Sequence, residues 1–440
     1  MRPNINPRTL LKTGGNLGLR SGAMRLSQGS TLASKPYAER WARLQFSEQS
    51  FQLEDNCGGI PDDRLDDAFR LGRPRVDLDK DIPTIGMFGI GMKRAIFKMG
   101  QEAIVKSSSP DGVRRIHYTK GWLRPDAPDA DQNWELPIDR QPAGKKHGVT
   151  IAVTELREET RRAFALSVFE DDLRRKIAIH FGYLISRGFA ITVNGKPIRP
   201  DTLRLYTSRS RGPAINPYDY AEHHEGVRFR VMVGFHRPLP RIEELDDEEE
   251  APRTKDRAGV SVVCNDRVIL YNDTSFRTGW GTRTVPKFHN QFLAIGGVVS
   301  FHSNDASLLP VSTTKTGVEL DSEIYDLALT QCAIGLKIFT GFTNSWKGRV
   351  SETESYFDDA VRTDVYMDQD FQKRAKRVNG ARVFKPTLPK PPSDSVFRRI
   401  SYLREIDDIE ALSKHLFNEI RPPSDVGGEA FDQLLRRARK

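Results

Sequence analysis

Several features that would assign this chain to a specialised class are missing from its sequence. Its 440 residues hold no apolar run approaching the roughly 18–20 residues that span a bilayer, so no membrane association is expected. The N-terminal stretch carries arginines but no apolar core, and it predicts no secretory signal. The three cysteines, Cys57, Cys264 and Cys332, lack the paired spacing of a zinc site or a disulfide framework, and no metal ligands are predicted. These absences favour a reducing, cytoplasmic location.

Positive charge is unevenly distributed along the chain. The formal net charge is +9, but residues 1–44 alone contain eight basic side chains against the single acid Glu39. The remaining chain is close to neutral, which is not the pattern of a basic nucleic-acid-binding face spread over a folded body. Residues 1–45 also show no sustained helical or strand periodicity, and we expect them to be poorly ordered.

The periodicity of apolar residues after position 45 indicates an α/β (α+β) fold in successive domains. Short strands and helices alternate over residues 46–198, which predicts a sheet covered on one face by helices. A second α/β unit is expected over residues 199–345, and a helical tail with a proline-rich linker over residues 346–440. An acidic run over residues 243–250 interrupts the second unit and is typical of a solvated loop.

Two glycine-containing segments are the most informative about function. The first places Asp55 at the end of a predicted strand, ahead of two glycines, and the second has Gly86, Gly89 and Gly91 leading into a predicted helix. Glycines that open a helix leave backbone N–H groups free to bind an anion. An acid on a neighbouring strand can accept a hydrogen bond from a purine amino group. The glycine segment alone is more readily explained by a tight turn, but the pair at this spacing is far more specific than either half.

At these residues the sequence resembles the GHKL ATPases, which include the gyrase B subunit, the MutL mismatch-repair protein, histidine kinases and MORC proteins. Residues 55–61 match the family's second motif, Asp-x-Gly-x-Gly, with Cys57 in place of the first glycine, and the third motif, Gly-x-x-Gly-x-Gly, is matched in full. The resemblance implies a Bergerat-type two-layer α/β sandwich in which Asp55 binds the adenine amino group and a lid over about residues 72–92 wraps the phosphates of ATP. The nucleotide-binding residues implied by these two motifs are Asp55, Gly59, Gly86, Gly89, Ile90 and Gly91.

Four further residues are assigned: Lys93 and Lys315, each with an alternative, and Gly148 and Thr150 at the place of the family's fourth motif. Lys93 either adds charge near a phosphate or is a solvated helix lysine. Gly148 fits the turn of the family's fourth motif, Gly-Thr, but Thr150 is displaced by one position, and strand alternation would turn it to the opposite face. Gyrase and MutL continue into a transducer domain whose loop lysine reaches the γ-phosphate. Lys315 lies in a polar loop and is assigned either as that catalytic lysine or as an exposed loop residue.

The family's first motif, a helix that supplies a water-polarising Glu and, four residues later, a Mg²⁺-binding Asn, is not found before Asp55. Glu39 is followed four residues later by Arg43, and a guanidinium repels Mg²⁺. Three explanations stay open: a non-hydrolysing relative, a truncated or frameshifted upstream helix, and an acid from a partner chain. The second is favoured, because it also explains the basic segment. ATP is the expected cofactor, Mg²⁺ lacks its usual ligand, and ATPase activity is left undecided.

These patterns predict an ATP-binding protein of the GHKL type that acts as an ATP-driven conformational switch with weak or absent hydrolysis. A homodimer formed on nucleotide binding and a DNA or protein client are the partners considered besides ATP. The alternative is a nucleic-acid-associated or scaffold protein with a degenerate, non-binding GHKL fold, in which the glycine turns are purely structural. A hydrolase with Cys57 as nucleophile is a third class, disfavoured because no histidine lies near it in sequence.

Overall fold

The computed structural model describes residues 37–69, 91–119, 136–210, 212–240, 257–312, 317–364, 373–392, 400 and 403–439 of the 440-residue chain. The chain divides into two compact units, Met1–Lys390 and Pro391–Lys440. The first unit holds two large sheets with helices, and the second is helical over its described residues. This mixture of strands and helices confirms the predicted α/β (α+β) class.

Among the described residues, eight strands form the first sheet: β1 (Trp41–Phe46), β2 (Phe51–Asp55), β3 (Gly100–Ser109), β4 (Gly112–Tyr118), β5 (Ile138–Gln141), β6 (Gly148–Leu156), β7 (Ala190–Val193) and β8 (Lys196–Pro197). Their order across the sheet is β5-β4-β3-β6-β2-β1-β7-β8, and β1 and β7 are the parallel pair. Side chains of β2 alternate, so Phe51, Leu53 and Asp55 are buried on one face. The turn after β7 has positive φ at Asn194 and Gly195, as a tight hairpin turn requires.

Helices cover one face of the first sheet. They are α1 (Leu65–Phe69), α2 (Gly91–Met99), α3 (Glu158–Phe164), α4 (Ser167–His180) and α5 (Gly182–Ser186). Helix α2 buries Met92, Ala95, Ile96 and Met99 in the same apolar cluster as the covered strand residues, because these positions recur at helical spacing. Helices α3, α4 and α5 follow one another over residues 158–186 with short breaks between them. The result is a two-layer α/β sandwich that includes strand β1, most of which lies before residue 46.

Strand β1 was not expected. It lies almost wholly within residues 1–45, predicted to be poorly ordered, yet it pairs with β2 and β7 in the interior of the sheet. Its sequence gives a weak signal because Arg43 and Gln45 are exposed and Leu44 is its one buried residue. The prediction of a poorly ordered segment is therefore wrong for the residues of β1, and residues 1–36 lie outside the described part of the chain.

Nine further strands follow in the part of the chain that the structure describes: β9 (Leu205–Thr207), β10 (Tyr218–His224), β11 (Val227–Phe235), β12 (Gly259–Cys264), β13 (Arg267–Asp273), β14 (Ile295–His302), β15 (Val361–Thr363), β16 (Lys376–Val378) and β17 (Ala381–Phe384). Seven of them form the second sheet, in the order β13-β12-β14-β11-β10-β17-β16, while β9 and β15 pair separately. Strands β11 to β14 lie within residues 199–345, where the sequence predicts a second α/β unit.

A long helix, α6 (Glu323–Ser345), covers one face of the second sheet. Leu336 and Phe339 of α6 pack in one cluster with Val231 and Phe235 of β11, and the Phe235 and Phe339 rings meet edge to face at 5.0 Å. A short helix, α7 (Glu354–Asp358), adds Phe357 to this core. The opposite face of the second sheet is not covered by α6.

Residues 346–390 depart from the predicted helical tail. Strand β15 pairs with β9, and the hairpin of β16 and β17 extends the second sheet beyond β10. These strands have three or four residues and few buried positions, so they give no period-two pattern to recognise. The helical part of the tail is α8 (Ile406–Phe417) and α9 (Pro423–Ala438) of the second unit. Within the described ranges, no helix is long and apolar enough to cross a membrane.

Candidate functional site

Asp55 ends β2 with a buried carboxylate that is only partly satisfied. Its side chain is on the covered face, and the residue is 5% exposed. Oδ1 accepts a hydrogen bond from the backbone N–H of Cys57 at 2.8 Å, whereas Oδ2 is buried and has no hydrogen-bond partner among the described residues. Burial raises the pKa of this carboxyl to about 6, against the opposing effect of the Cys57 and Val149 N–H groups. A buried acceptor without a donor fits a ligand that brings one.

The turn after Asp55 requires glycine at Gly59. Its φ is +78°, and a Cβ there would lie 1.9 Å from the carbonyl oxygen of Ser108 on β3. The turn is fixed to the same strand by the Ile60 N–H, which donates to Ser107 Oγ at 2.6 Å. Cys57, which replaces the first glycine of the motif, is not among the residues with positive φ, and so its backbone accommodates a side chain.

The start of β6 approaches Asp55 closely. A Cβ on Gly148 would lie 1.9 Å from the Asp55 carbonyl oxygen, so glycine is what permits the two strand ends to meet. Thr150 pairs in register with Glu54, which puts both on the face opposite to Asp55. The structure therefore brings Gly148 to Asp55 but does not bring Thr150 there, and the buried Val149 lies beside the carboxylate instead.

Helix α2 begins at Gly91, as the glycine motif predicts. Lys93, two residues further on, is 2% exposed, so its alternative as a solvated helix lysine is wrong. Gly86, Gly89 and Ile90 lie outside the described residues. Lys315 also lies outside them, while the residues on either side of its loop are joined by a bridge between Val311 and Val318.

Asn56, for which the sequence predicted no role, links the site to the turn before β1 through hydrogen bonds. Its Oδ1 accepts the Trp41 N–H at 2.7 Å, and its Nδ2 donates to the Glu39 carbonyl oxygen at 2.7 Å. Arg40 donates to the Asn56 carbonyl oxygen at 2.8 Å. Glu39 itself has a left-handed backbone, φ 73°, in a turn rather than on a helix, and so does not resemble the acid of the missing first motif. The residue at the motif's variable second position therefore holds the turn before β1 against the end of β2.

The turn at Tyr37 continues into a buried ionic joint with the second sheet. Asp266, in the turn between β12 and β13, is 1% exposed. It accepts hydrogen bonds from the Tyr37 hydroxyl at 3.2 Å and from Arg187, just after α5, and it lies 3.1 Å from His302 Nε2. A buried carboxylate beside a buried guanidinium needs such partners to offset the loss of hydration. The joint therefore connects the turn before β1 and the end of α5 with the second sheet.

The described residues offer no support for a cysteine nucleophile. Cys57, Cys264 and Cys332 are buried, and burial raises the pKa of each thiol, which opposes formation of a thiolate nucleophile. No group of three or more His, Cys, Asp or Glu side chains in the described ranges could hold a metal ion.

A buried acid ending a central strand, a glycine turn against the next strand and a glycine-initiated helix on the same face define a Bergerat-type two-layer domain. Comparison with protein families agrees: residues 39–124 match the family model described as histidine kinase-, DNA gyrase B-, and HSP90-like ATPase. The chain therefore contains a GHKL-type ATPase domain. The matched segment includes Asp55, Gly59 and Gly91 but ends before Gly148. No curated protein matches the chain.

Proposed function

We propose that this chain binds ATP on the covered face of the first sheet, with Asp55 accepting a hydrogen bond from the adenine amino group. The observation that supports this most is the buried Oδ2 of Asp55, which lacks a donor among the described residues. Leaving a buried acceptor unpaired costs about 1–3 kcal/mol, and a bound adenine would remove that cost. The residues proposed to surround the nucleotide are Gly59, Gly86, Gly89, Ile90, Gly91, Lys93 and Gly148.

We further propose that ATP hydrolysis is weak or absent in this chain. Attack by water requires a group that accepts its proton and a metal ion that offsets the phosphate charge, and losing the base alone costs about 10²–10⁴-fold in rate. Asp55 is engaged with the adenine, and Glu54 faces the other side of the sheet. Lys93 and Lys315, as ammonium groups, can stabilise phosphate charge but cannot accept a proton. Mg²⁺ would then accompany the nucleotide without its usual Asn ligand.

The second sheet and α6 are proposed to act as a transducer-like domain, which makes the protein an ATP-driven conformational switch. The support is a continuous set of contacts: Asn56, next to Asp55, holds the turn that begins at Tyr37, and Tyr37 bonds to Asp266 of the second sheet. A change at the nucleotide would thereby reach the second sheet through groups that are already in contact. Lys315 is proposed as the residue that reaches the γ-phosphate, and dimerisation is proposed to follow nucleotide binding.

An assay of nucleotide binding beside nucleotide turnover tests this proposal. The full chain is titrated with Mg-ATP by calorimetry, and phosphate release is followed in the same buffer. A Gly89→Asp, Gly91→Asp variant serves as the control, because two carboxylates in the lid repel the phosphates. We expect saturable binding that the variant loses, and no phosphate release above the variant's background. Turnover that disappears in the variant would contradict the proposed lack of hydrolysis, and absence of binding would contradict the whole proposal.

A further inference from the structure

The face of the second sheet that α6 leaves uncovered carries a row of cationic side chains. In register, Arg377 of β16 lies opposite Arg382 of β17, which lies opposite Ala221 of β10. The row continues with Arg230 of β11 and Ser300 of β14. Two residues further along the strands, a second row places His223, Arg228 and His302 side by side. Because side chains alternate along strands, residues two positions apart share one face, and so the two rows lie on the same face.

These residues line a groove of about 430 Å³. Its lining includes four arginines and two histidines but one acid, Glu222. Glu222 pairs in register with Phe229 on the face covered by α6, where it accepts a hydrogen bond from the Tyr220 hydroxyl, so it does not oppose the cations on the uncovered face. The groove is therefore cationic.

Most of this positive charge is not neutralised by the protein. Arg228, Arg377 and Arg382 are exposed and form no ion pair in the described structure, and Arg377 and Arg382 lie directly opposite each other although like charges repel there. Arg230 differs, since it is buried and forms a two-point ion pair with Asp219 at 2.7 and 2.9 Å. Its remaining nitrogen, Nη1, has no hydrogen-bond partner among the described residues. Arg230 thus anchors the floor of a groove whose exposed arginines are available to an anion.

We propose that this groove binds the phosphate backbone of double-stranded nucleic acid. The cations extend over five neighbouring strands, β16 to β14, which at about 4.8 Å per strand spans about 19 Å and exceeds the reach of a single phosphate. Guanidinium groups suit phosphates because their donors match two oxygens at once. The neutral lining residues on this face are Ala221, Ser300 and Gly380, which form neither apolar pockets for peptide side chains nor an aromatic platform for unstacked bases. The groove therefore contacts backbone rather than bases, and it favours a duplex without sequence preference.

This cationic groove could not be predicted from the sequence. Its cationic residues are distributed from His223 to Arg382, and outside the N-terminal segment the charge of the chain is close to neutral. Only the pairing of β10, β11, β14, β16 and β17 brings them together. The inference is independent of ATP binding, since none of these residues belongs to the candidate nucleotide site.

A salt-dependent binding experiment with the full chain tests the proposal. Fluorescence anisotropy of a labelled 20-base-pair duplex is measured from low to physiological salt for the wild type and for an Arg228→Glu, Arg382→Glu variant. The matched control is Lys337→Glu, Lys347→Glu, which makes the same charge change at exposed, unpaired positions on and just after α6. We expect the groove variant to bind at least about tenfold more weakly, with a salt slope smaller by about 1.8, and the control to stay within about twofold of wild type.

The remaining arms separate this surface from others. A milder Arg228→Gln, Arg382→Gln variant, with unchanged thermal unfolding, is expected to show an intermediate loss, so that misfolding cannot account for the result. Unlabelled duplex is expected to displace the labelled duplex far better than polyglutamate of equal charge. Equal affinity of wild type and groove variant would overturn the proposal. So would an equal loss in the lysine control, or equally effective competition by polyglutamate, which would assign the groove to acidic peptides.

Discussion

Replacing Asp55 with Asn is predicted to weaken nucleotide binding without lowering the free energy of unfolding at pH 7.5. The Asp55 pKa is raised from 3.8 to about 6, so the folded state binds this proton more tightly than the unfolded state. The ionised carboxylate therefore disfavours the folded state above pH 6, and that penalty disappears as the pH falls below the unfolded pKa. Raising this pKa from 3.8 to about 6 corresponds to about 3 kcal/mol at pH 7.5, which the substitution removes.

The amide that the Asp55→Asn substitution introduces has a cost of its own. Its oxygen can keep the hydrogen bond from the Cys57 N–H, but its NH₂ group would be a buried donor without a partner, at a cost of about 1–3 kcal/mol. The net change in the free energy of unfolding at pH 7.5 is then between zero and a gain of about 2 kcal/mol. Because the wild-type carboxyl is mostly protonated at pH 5, the difference between variant and wild type should be about 1.4 kcal/mol less favourable to the variant there than at pH 7.5.

Binding should change in the opposite direction. Loss of a hydrogen bond to a charged acceptor costs about 1.5–3 kcal/mol, or about 10–150-fold in Kd. Urea unfolding at pH 5 and pH 7.5 measures stability, and calorimetric titration with a non-hydrolysable ATP analogue measures binding. A variant that bound the analogue as tightly as wild type, or whose stability difference did not depend on pH, would refute this account of Asp55.

Two further substitutions probe the surroundings of the site. Gly148→Ala places a methyl group against the Asp55 backbone and should lower the free energy of unfolding by about 1–3 kcal/mol and weaken nucleotide binding, as measured by urea unfolding and calorimetry. The control Gly144→Ala, which has nothing within 4 Å of its added Cβ, should behave as wild type. Equal behaviour of the two variants would contradict the close approach of Gly148 to Asp55. Asp266→Asn removes the negative charge that pairs with the buried Arg187 and should lower the free energy of unfolding by about 3–5 kcal/mol in the same urea assay. An unchanged unfolding midpoint would show that the joint between the sheets is not ionic.

The parts of the fold that were predicted are those with a strong local pattern. The alternation in β2 and the glycines before α2 placed Asp55 and Gly91 at the ends of the elements where they lie. The same alternation rule indicated that Thr150 faces away from Asp55. The ionic joint at Asp266 could not be predicted, because it joins Tyr37 to a residue 229 positions away and its geometry exists only after both sheets have formed. The cationic groove escaped prediction for the same reason.

The central claim, that Asp55 receives the amino group of adenine, is tested most directly by changing the ligand rather than the protein. Calorimetric titration of the full wild-type chain compares ATP with N6,N6-dimethyl-ATP, which has the same phosphates but no N–H on its exocyclic nitrogen. If the buried Oδ2 of Asp55 is the acceptor, ATP should saturate one site per chain and the dimethylated nucleotide should bind at least about tenfold more weakly. Equal affinity for the two nucleotides, or no measurable binding of ATP, would contradict the claim.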